Sequence, residues 1–344
     1  MAIRNKILTV ALAAAILSLP VKAAEKEPSR RGLTVLGQAS EESPAFGLYI
    51  DRLNRQRSFS KTLPAGNYSG MAHLSRDIYA LVDDKSESDG FRMVRVSFNR
   101  RSGSITRMDD LDFRSSGMPN HDGEGITLNT ATGTVFISRE ADNNILEYDL
   151  GAKPTGRSVP TGDIFPENGN LGLESLCSDD EGYIWTTTES PLSGNVHRIQ
   201  RFNDRLEADG YWLYSMDRPT VTDHTGTYVF GISELLMVSD GRLLVLEREC
   251  NVPGGGIGAF VINKLYVTKP SACNEGTELE KQLLIAFRTG IGLVSDRSFA
   301  NYEGLCLGPE LKDGSRPLVL IADSQNQYLG ILSDWFLSIR LGGL

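Results

Sequence analysis

Histidine and cysteine are scarce in this chain, four of each in 344 residues, and the scarcity limits the chemistry it can host. Structural and catalytic zinc centres draw on those two side chains, and no cluster of them with ligand spacing occurs here. His73 and His121 stand near repeat starts, where a channel is one place for them to face, His197 and His224 lie elsewhere, and a structural or surface role suffices for each. Basic residues are short too: 35 Lys and Arg face 44 Asp and Glu, a formal charge of -9, which argues against nucleic acid as a partner. Beyond the N-terminus no apolar run is long enough to cross a bilayer. A nucleophile elbow is missing, because Gly231-Ile232-Ser233-Glu234-Leu235 lacks the closing glycine. Gly254-Gly255-Gly256 follows no strand-to-helix pattern and reads as a turn, not a phosphate cradle. Asp109, Asp110 and Asp112 lack EF-hand spacing, and no segment sustains a helical period.

The N-terminus has the pattern of an export signal. Arg4 and Lys6 precede an apolar stretch from Ile7 to Leu19, and Val21-Lys22-Ala23 supplies a cleavage site ahead of Ala24. Residues 1–23 are therefore expected to be removed, leaving a secreted or periplasmic protein of residues 24–344. The formal charge then moves from -9 to -12, since Arg4, Lys6 and Lys22 leave with the segment. No cysteine flanks the cut, so no lipid anchor is expected, and no linker divides the mature chain, which is read as one domain and a monomer. Disulfides persist in such compartments. Cys250 and Cys273 bracket a glycine-rich excursion and are expected to pair, contributing ~3 kcal/mol by the chain-entropy argument. Cys177 and Cys306 occupy equivalent repeat positions and are expected to be buried free thiols.

What the chain does have is a short phrase repeated five times. It reads Ser69-Gly70-Met71, Glu124-Gly125-Ile126, Glu174-Ser175-Leu176, Ser233-Glu234-Leu235 and Glu303-Gly304-Leu305. Each copy opens an apolar run, and a second run follows that ends on an acid: Asp83, Glu140, Glu189, Glu247 and Asp323. The two marks lie 14, 16, 15, 14 and 20 residues apart, and successive copies start 55, 50, 59 and 70 residues apart. Repetition on this scale signals a propeller or a solenoid. The third unit resolves into LESLCS, YIWTTTE, NVHRIQRF and YWLYSM, and the fourth into SELLMVS, RLLVLERE, GAFVINKLYVT and KQLLIAF, four short strands each. The expected fold is all-β, a single β-propeller of four-stranded blades. Five blades can be counted, and a sixth is left open from residues 40–68 or from the long 233–303 interval. The N-terminal LTVLGQ, residues 33–38, is the expected closing strand of the last blade.

In a propeller the first strand of a blade leaves one face of the disc and the second returns to it, so the two marks meet at one mouth of the channel. Glu124, Glu174, Glu303, Glu140, Glu189, Glu247 and Asp323 should converge there, with Asp122 and Asp83 close by. Many carboxylates at one mouth repel unless cations offset them. Oxygen donors suit a hard cation, and Ca²⁺ is expected, held by Glu124, Glu174, Glu303, Glu140 and Asp323. Asn120, Asn168, Asn170 and Asn301 precede the repeat acids and add oxygen atoms. Polar caps on strand ends explain the same acids without any metal. Arg139, Arg248 and Lys85 adjoin the acids and serve either to pair with them or to touch a substrate.

The phrases DGEGI at 122–126, NLGLESL at 170–176, GISELL at 231–236, GRLLVLERE at 241–249, NYEGL at 301–305 and LIADSQ make the chain resemble the phytase-like domain family, described as having esterase-like activity of phytase. The resemblance runs from about Ser69 to Asp323. It implies an exported propeller that hydrolyses phosphate or other esters, acting on a small molecule. On that reading Arg139 and Arg248 offset charge in the transition state, and Glu189 or Glu247 exchanges a proton. Two other readings remain: a calcium-dependent lactonase or carboxylic esterase, and a propeller that binds a ligand or a protein without catalysis.

Overall fold

A computed structural model describes residues 33–165, 172–254, 256–292, 297–327 and 332–344. The expected signal segment, Asn168 and Asn170 lie outside them. Two short strands come first, β1 (Thr34–Gln38) and β2 (Tyr49–Leu53). The first blade is β3 (Tyr68–Ser75), β4 (Ile78–Asp83), β5 (Ser88–Phe98) and β6 (Ile105–Pro119). The second is β7 (Gly123–Asn129), β8 (Thr134–Arg139), β9 (Asn144–Tyr148) and β10 (Pro154–Val159). The third is β11 (Leu173–Ser178), β12 (Ile184–Thr188), β13 (Val196–Phe202) and β14 (Ala208–Ser215). The fourth is β15 (Thr227–Met237), β16 (Leu243–Val252), β17 (Phe260–Thr268) and β18 (Lys281–Gly290). The fifth holds β19 (Asn301–Leu307), β20 (Arg316–Asp323) and β21 (Phe336–Gly342).

The molecule is a five-bladed β-propeller. Neither interval suspected of hiding a sixth blade does so: the only whole strand within residues 40–68 is β2, which joins the fifth blade, and the 233–303 stretch is long because β16, β17 and β18 run 10, 9 and 10 residues. Apolar side chains on the two faces of each sheet pack against the neighbouring blades. One buried cluster therefore fills each interface, such as Phe136, Ile145, Leu173, Ile184 and Phe202 between the second and third blades.

Ring closure differs from expectation. The fifth blade takes its outer strand from β2, which pairs antiparallel with β21 from Tyr49↔Gly342 to Leu53↔Ile339. The expected closing segment, β1, instead adds a fifth strand to the neighbouring blade through β18. Burial explains the choice. Leu48 and Ile50 sink into the core between the fourth and fifth blades, whereas Val35 and Leu36 stay 42% and 54% exposed on an outer edge.

The expected disulfide does not form. All four cysteines are free, with Cys250 buried and Cys273 exposed. Cys250 pairs with Val261 near one end of β17, and Cys273 lies in the turn beyond Thr268 at its other end. Seven residues of extended chain separate those ends, roughly 23 Å, far beyond disulfide reach.

Candidate active site: a carboxylate well

The repeated phrase turns out to specify a β-bulge. In every blade the pairing of the first two strands slips at the phrase: between Tyr68 and Gly70, Gly123 and Ile126, Leu173 and Ser175, Ile232 and Glu234, and Tyr302 and Gly304. A bulge leaves one residue outside the ladder and re-aims its side chain. Ser69, Glu124, Glu174, Ser233 and Glu303 stand at these slips. The glycine that often follows is explained by crowding around the axis. A Cβ at Gly70 would lie 2.4 Å from the Glu124 carbonyl oxygen, and one at Gly125 would lie 2.8 Å from that of Glu174.

The same registers identify the second ring. Tyr68, Gly123, Leu173, Ile232 and Tyr302 pair with Asp83, Arg139, Thr188, Glu247 and Ala322. The residues one step further, Asp84, Glu140, Glu189, Arg248 and Asp323, are therefore structural equivalents. Two of the acids singled out in the sequence are thus one residue off the ring, which holds Asp84 in place of Asp83 and Arg248 in place of Glu247. Consecutive strand residues point to opposite faces, so Glu247 leaves the channel. Its carboxylate accepts the Tyr214 hydroxyl at 2.8 Å and Lys281 Nζ at 2.6 Å between the third and fourth blades. Arg139 likewise turns away from Glu140, pairing with Asp142 and lying 3.7 Å from Asp89.

The remaining expected residues do come together. Carboxylate oxygens of Glu140, Glu174 and Glu189 all lie within 4.8 Å of one another. Arg248 bridges two blades, its Nη2 donating to Glu189 and its Nη1 to Glu303. Asn301 Nδ2 donates to Glu303 at 2.6 Å, and Gly172 N–H to Glu140 at 3.1 Å. Asp323 accepts the Gln325 N–H at 2.7 Å. Lys85 Nζ sits 2.7 Å from Asp84 and 2.8 Å from Asp122. Asp122 holds a left-handed φ of 54°, uncommon outside glycine. Asn120 spends its amide on the carbonyls of Asp83, Asp84 and Ser86, pinning a turn of the first blade.

Seven carboxylates of this network, those of Asp84, Glu124, Glu140, Glu174, Glu189, Glu303 and Asp323, thus share two cations, Lys85 and Arg248. Electrostatics shows the imbalance. Burial, and then mutual repulsion, pushes Glu124 and Glu174 well above the usual carboxylate range. Burial also lifts Asp84, Glu140 and Asp323 to about 7, with the neighbouring carboxylates adding to it. Glu303 reaches about 7 by burial although Arg248 opposes the rise. One oxygen of Asp84 is buried with no partner among the described residues.

Below the well the axis is crossed by Glu234, which stands where other blades have Gly70, Gly125, Ser175 and Gly304. Its carboxylate accepts the backbone N–H of Leu176 at 2.9 Å and of Leu235 at 3.0 Å. At the opposite face a cavity of about 500 Å³ is lined by Asp179, Trp185, Arg201, Asp240 and Arg316 among others. Trp185 Nε1 and Arg242 Nε already occupy the Asp179 and Asp240 carboxylates, and no residue of either ring lines the cavity. The chemistry gathers at the well and not in that cavity.

An oxygen-only donor trio, closely spaced, buried and short of positive charge, fits a hard divalent cation such as Ca²⁺. Asp84 is the participant that the sequence reading did not single out, whereas Asn301 stands beside Glu303 as expected. Asp84 is half of an Asp-Asp pair, and only the ladder register tells the two apart.

A family model described as phytase-like, esterase-like activity of phytase, matches residues 63–325. None of the curated proteins matches the chain in sequence. Among solved structures, an endo-arabinase from Bacteroides thetaiotaomicron is 12% identical at a TM-score of 0.48, covering 83% of this chain and 97% of its own. The PQQ domain of pyranose dehydrogenase from Coprinopsis cinerea is 12% identical at 0.40, over 91% and 98%. A streptogramin B lyase is 12% identical at 0.37, over 86% and 99%. Likenesses this distant carry nothing about activity.

Proposed function

The chain belongs to the phytase-like family, and on that premise we propose that it is an exported hydrolase that cleaves phosphate monoesters at the carboxylate well in a Ca²⁺-dependent reaction. One observation carries the reading: seven carboxylates, six of them buried and Glu303 partly so, converge with two cations to balance them, and three of the seven present their oxygens within 4.8 Å of one another. In this reading Glu140, Glu174 and Glu189 hold the ion. A cation held there would supply Lewis-acid chemistry toward the ester and a water. Arg248 and Asn301 fix the carboxylate of Glu303 beside it. Asp84 and Asp323, lifted to about 7, are suited to taking up or releasing a proton at their carboxyl oxygens near neutral pH. Glu247 and Arg139, engaged away from the well, take no part in this scheme.

A second reading is favoured by a separate observation: both cations of the well are already paired, Lys85 with Asp84 and Asp122 and Arg248 with Glu189 and Glu303. A neutral carboxylic ester or lactone needs no free positive charge. The test is hydrolysis of an aryl phosphate, an aryl acetate and a simple lactone by the mature protein, chelated and then Ca²⁺-loaded. Phosphate release that requires Ca²⁺ supports the first reading. Turnover of acetate or lactone alone supports the second, and folded, Ca²⁺-loaded protein that cleaves none of the three sinks both. Export is checked by the mass of the protein recovered outside the cytoplasm, which should begin at Ala24.

A further inference from the structure

We propose that Arg248 is an oxyanion-binding residue held in reserve: cation binding at Glu140, Glu174 and Glu189 frees one edge of its guanidinium to grip a phosphoryl or carboxylate group of the substrate or product. The proposal rests on the reading of the well as a cation site and adds to it a coupling between metal and anion.

Glu189 carries the argument, because it belongs to two arrangements at once. It is one of the three carboxylates close enough together to share an ion, and it is also the acceptor of Arg248 Nη2. A divalent ion beside Glu189 competes for that carboxylate with twice the charge of a guanidinium and repels the guanidinium as well. The rest of the side chain is anchored independently. Nη1 donates to Glu303 and lies 3.3 Å from Asn301 Oδ1, both on the fifth blade. Arg248 therefore keeps its place when Glu189 turns to the ion.

The third nitrogen indicates what the freed edge is for. Arg248 is 4% exposed, and its Nε–H is buried without a partner among the described residues. Nε and Nη2 form one side of the planar fork, the pair of parallel N–H groups that receives an oxyanion bidentately. In this structure half of that side is spent on Glu189 and half is unspent. Directly across the ladder from Arg248 stands Asn263, fully buried, with neither amide atom paired among the described residues. Buried donors without acceptors are costly, so a freed Nε/Nη2 edge beside an unpaired amide recruits an anion. A well that is hostile to anions when empty becomes receptive once the ion is in place. This reconciles a cluster of acids with a negatively charged substrate.

The experiment is titration calorimetry on the chelated mature protein and on Arg248→Met and Arg248→Lys. Ca²⁺ is titrated first, then inorganic phosphate and, separately, acetate into both chelated and Ca²⁺-loaded samples. Removing a like charge next to the ion should tighten Ca²⁺ binding by Arg248→Met at least about tenfold, with Arg248→Lys near wild type. One of the two anions should bind Ca²⁺-loaded wild type at least about tenfold more tightly than chelated protein, and by linkage should tighten Ca²⁺ by the same factor. That gain should vanish in both variants, and which anion shows it identifies a phosphoryl or a carboxylate ligand. Ca²⁺ affinity unchanged or weakened in Arg248→Met overturns the proposal, as a merely structural arginine would behave so. An anion gain that survives in Arg248→Lys overturns it too, and this arm stands even where Arg248→Met does not fold. Wild type that fails to bind Ca²⁺ removes the cation site itself and the proposal with it. Wild type that binds Ca²⁺ while both variants bind Ca²⁺ and anion as wild type does removes only the coupling.

Discussion

Replacing Glu174 by glutamine separates the two faces of the proposed cation site, because it should help the empty protein and harm the loaded one. Glu174 is buried and one of its carboxylate oxygens lies within 4.8 Å of one from Glu140 and one from Glu189, where two full charges at an effective dielectric of ~20 repel by about 3 kcal/mol. Burial and these neighbours raise its pKa in the folded state, so the folded protein binds the proton more tightly than the unfolded chain does. For a carboxyl raised in this way, stability is full below the unfolded pKa of about 4.5 and is lost as pH rises toward the folded value. Glutamine cannot ionise and escapes that loss. In chelator, Glu174→Gln should match wild type near pH 4.5 and become more stable with rising pH, by up to about 3 kcal/mol for one relieved pair. With Ca²⁺ at a hundredfold its dissociation constant, wild type should gain about 2.7 kcal/mol and the variant much less. Urea unfolding at pH 5, 7 and 9, with and without Ca²⁺, reads both effects. A variant that is less stable than wild type in chelator yet keeps the whole Ca²⁺ gain would refute the reasoning.

Three further outcomes follow from the packing. Gly125→Ala places a Cβ 2.7 Å from Leu176 Cβ and 2.8 Å from the Glu174 carbonyl oxygen, and should cost about 1–3 kcal/mol in urea unfolding; a change below about 0.5 kcal/mol would show that the inner strands separate freely. His197 is buried, and burial lowers its pKa to about 4, so the unfolded chain takes up the proton first and stability falls as pH drops from about 6.5 toward 4. His197→Asn should flatten that limb, worth roughly 3 kcal/mol at its foot, and an unchanged acid limb would contradict the assignment. The free cysteines predict one fast-reacting thiol in native protein, Cys273, and four after denaturation, with a melting temperature indifferent to reductant. Two thiols appearing only on reduction would restore the Cys250–Cys273 bridge.

Much of this architecture is legible in the residues, for a reason the bulges make clear. The phrase recurs because each blade must slip its first ladder at the same height and pack its inner strand against the next one's backbone. That double demand selects Glu or Ser followed, in three copies, by glycine. What the sequence left ambiguous are matters of one residue or one partner. Asp83 and Asp84 are chemically identical, and only the pairing of Tyr68 with Asp83 turns the second of them inward. Glu247 and Arg248 are both chargeable, and strand alternation sends the acid between blades and the arginine to the axis. The segments 34–38 and 49–53 are both short and strand-like; burial of Leu48 and Ile50 assigns ring closure to the second. Cys250 and Cys273 are near in sequence but separated by the whole length of β17.

The central claim is that the well exists to hold a cation, and calorimetric titration of Ca²⁺ into chelated mature protein tests it most directly, run beside Glu140→Gln/Glu189→Gln with its fold checked by circular dichroism. The account predicts saturable binding by wild type and none by the folded double variant. Absence of binding in wild type, or equal binding in both, would contradict it and leave the carboxylates as caps on strand ends.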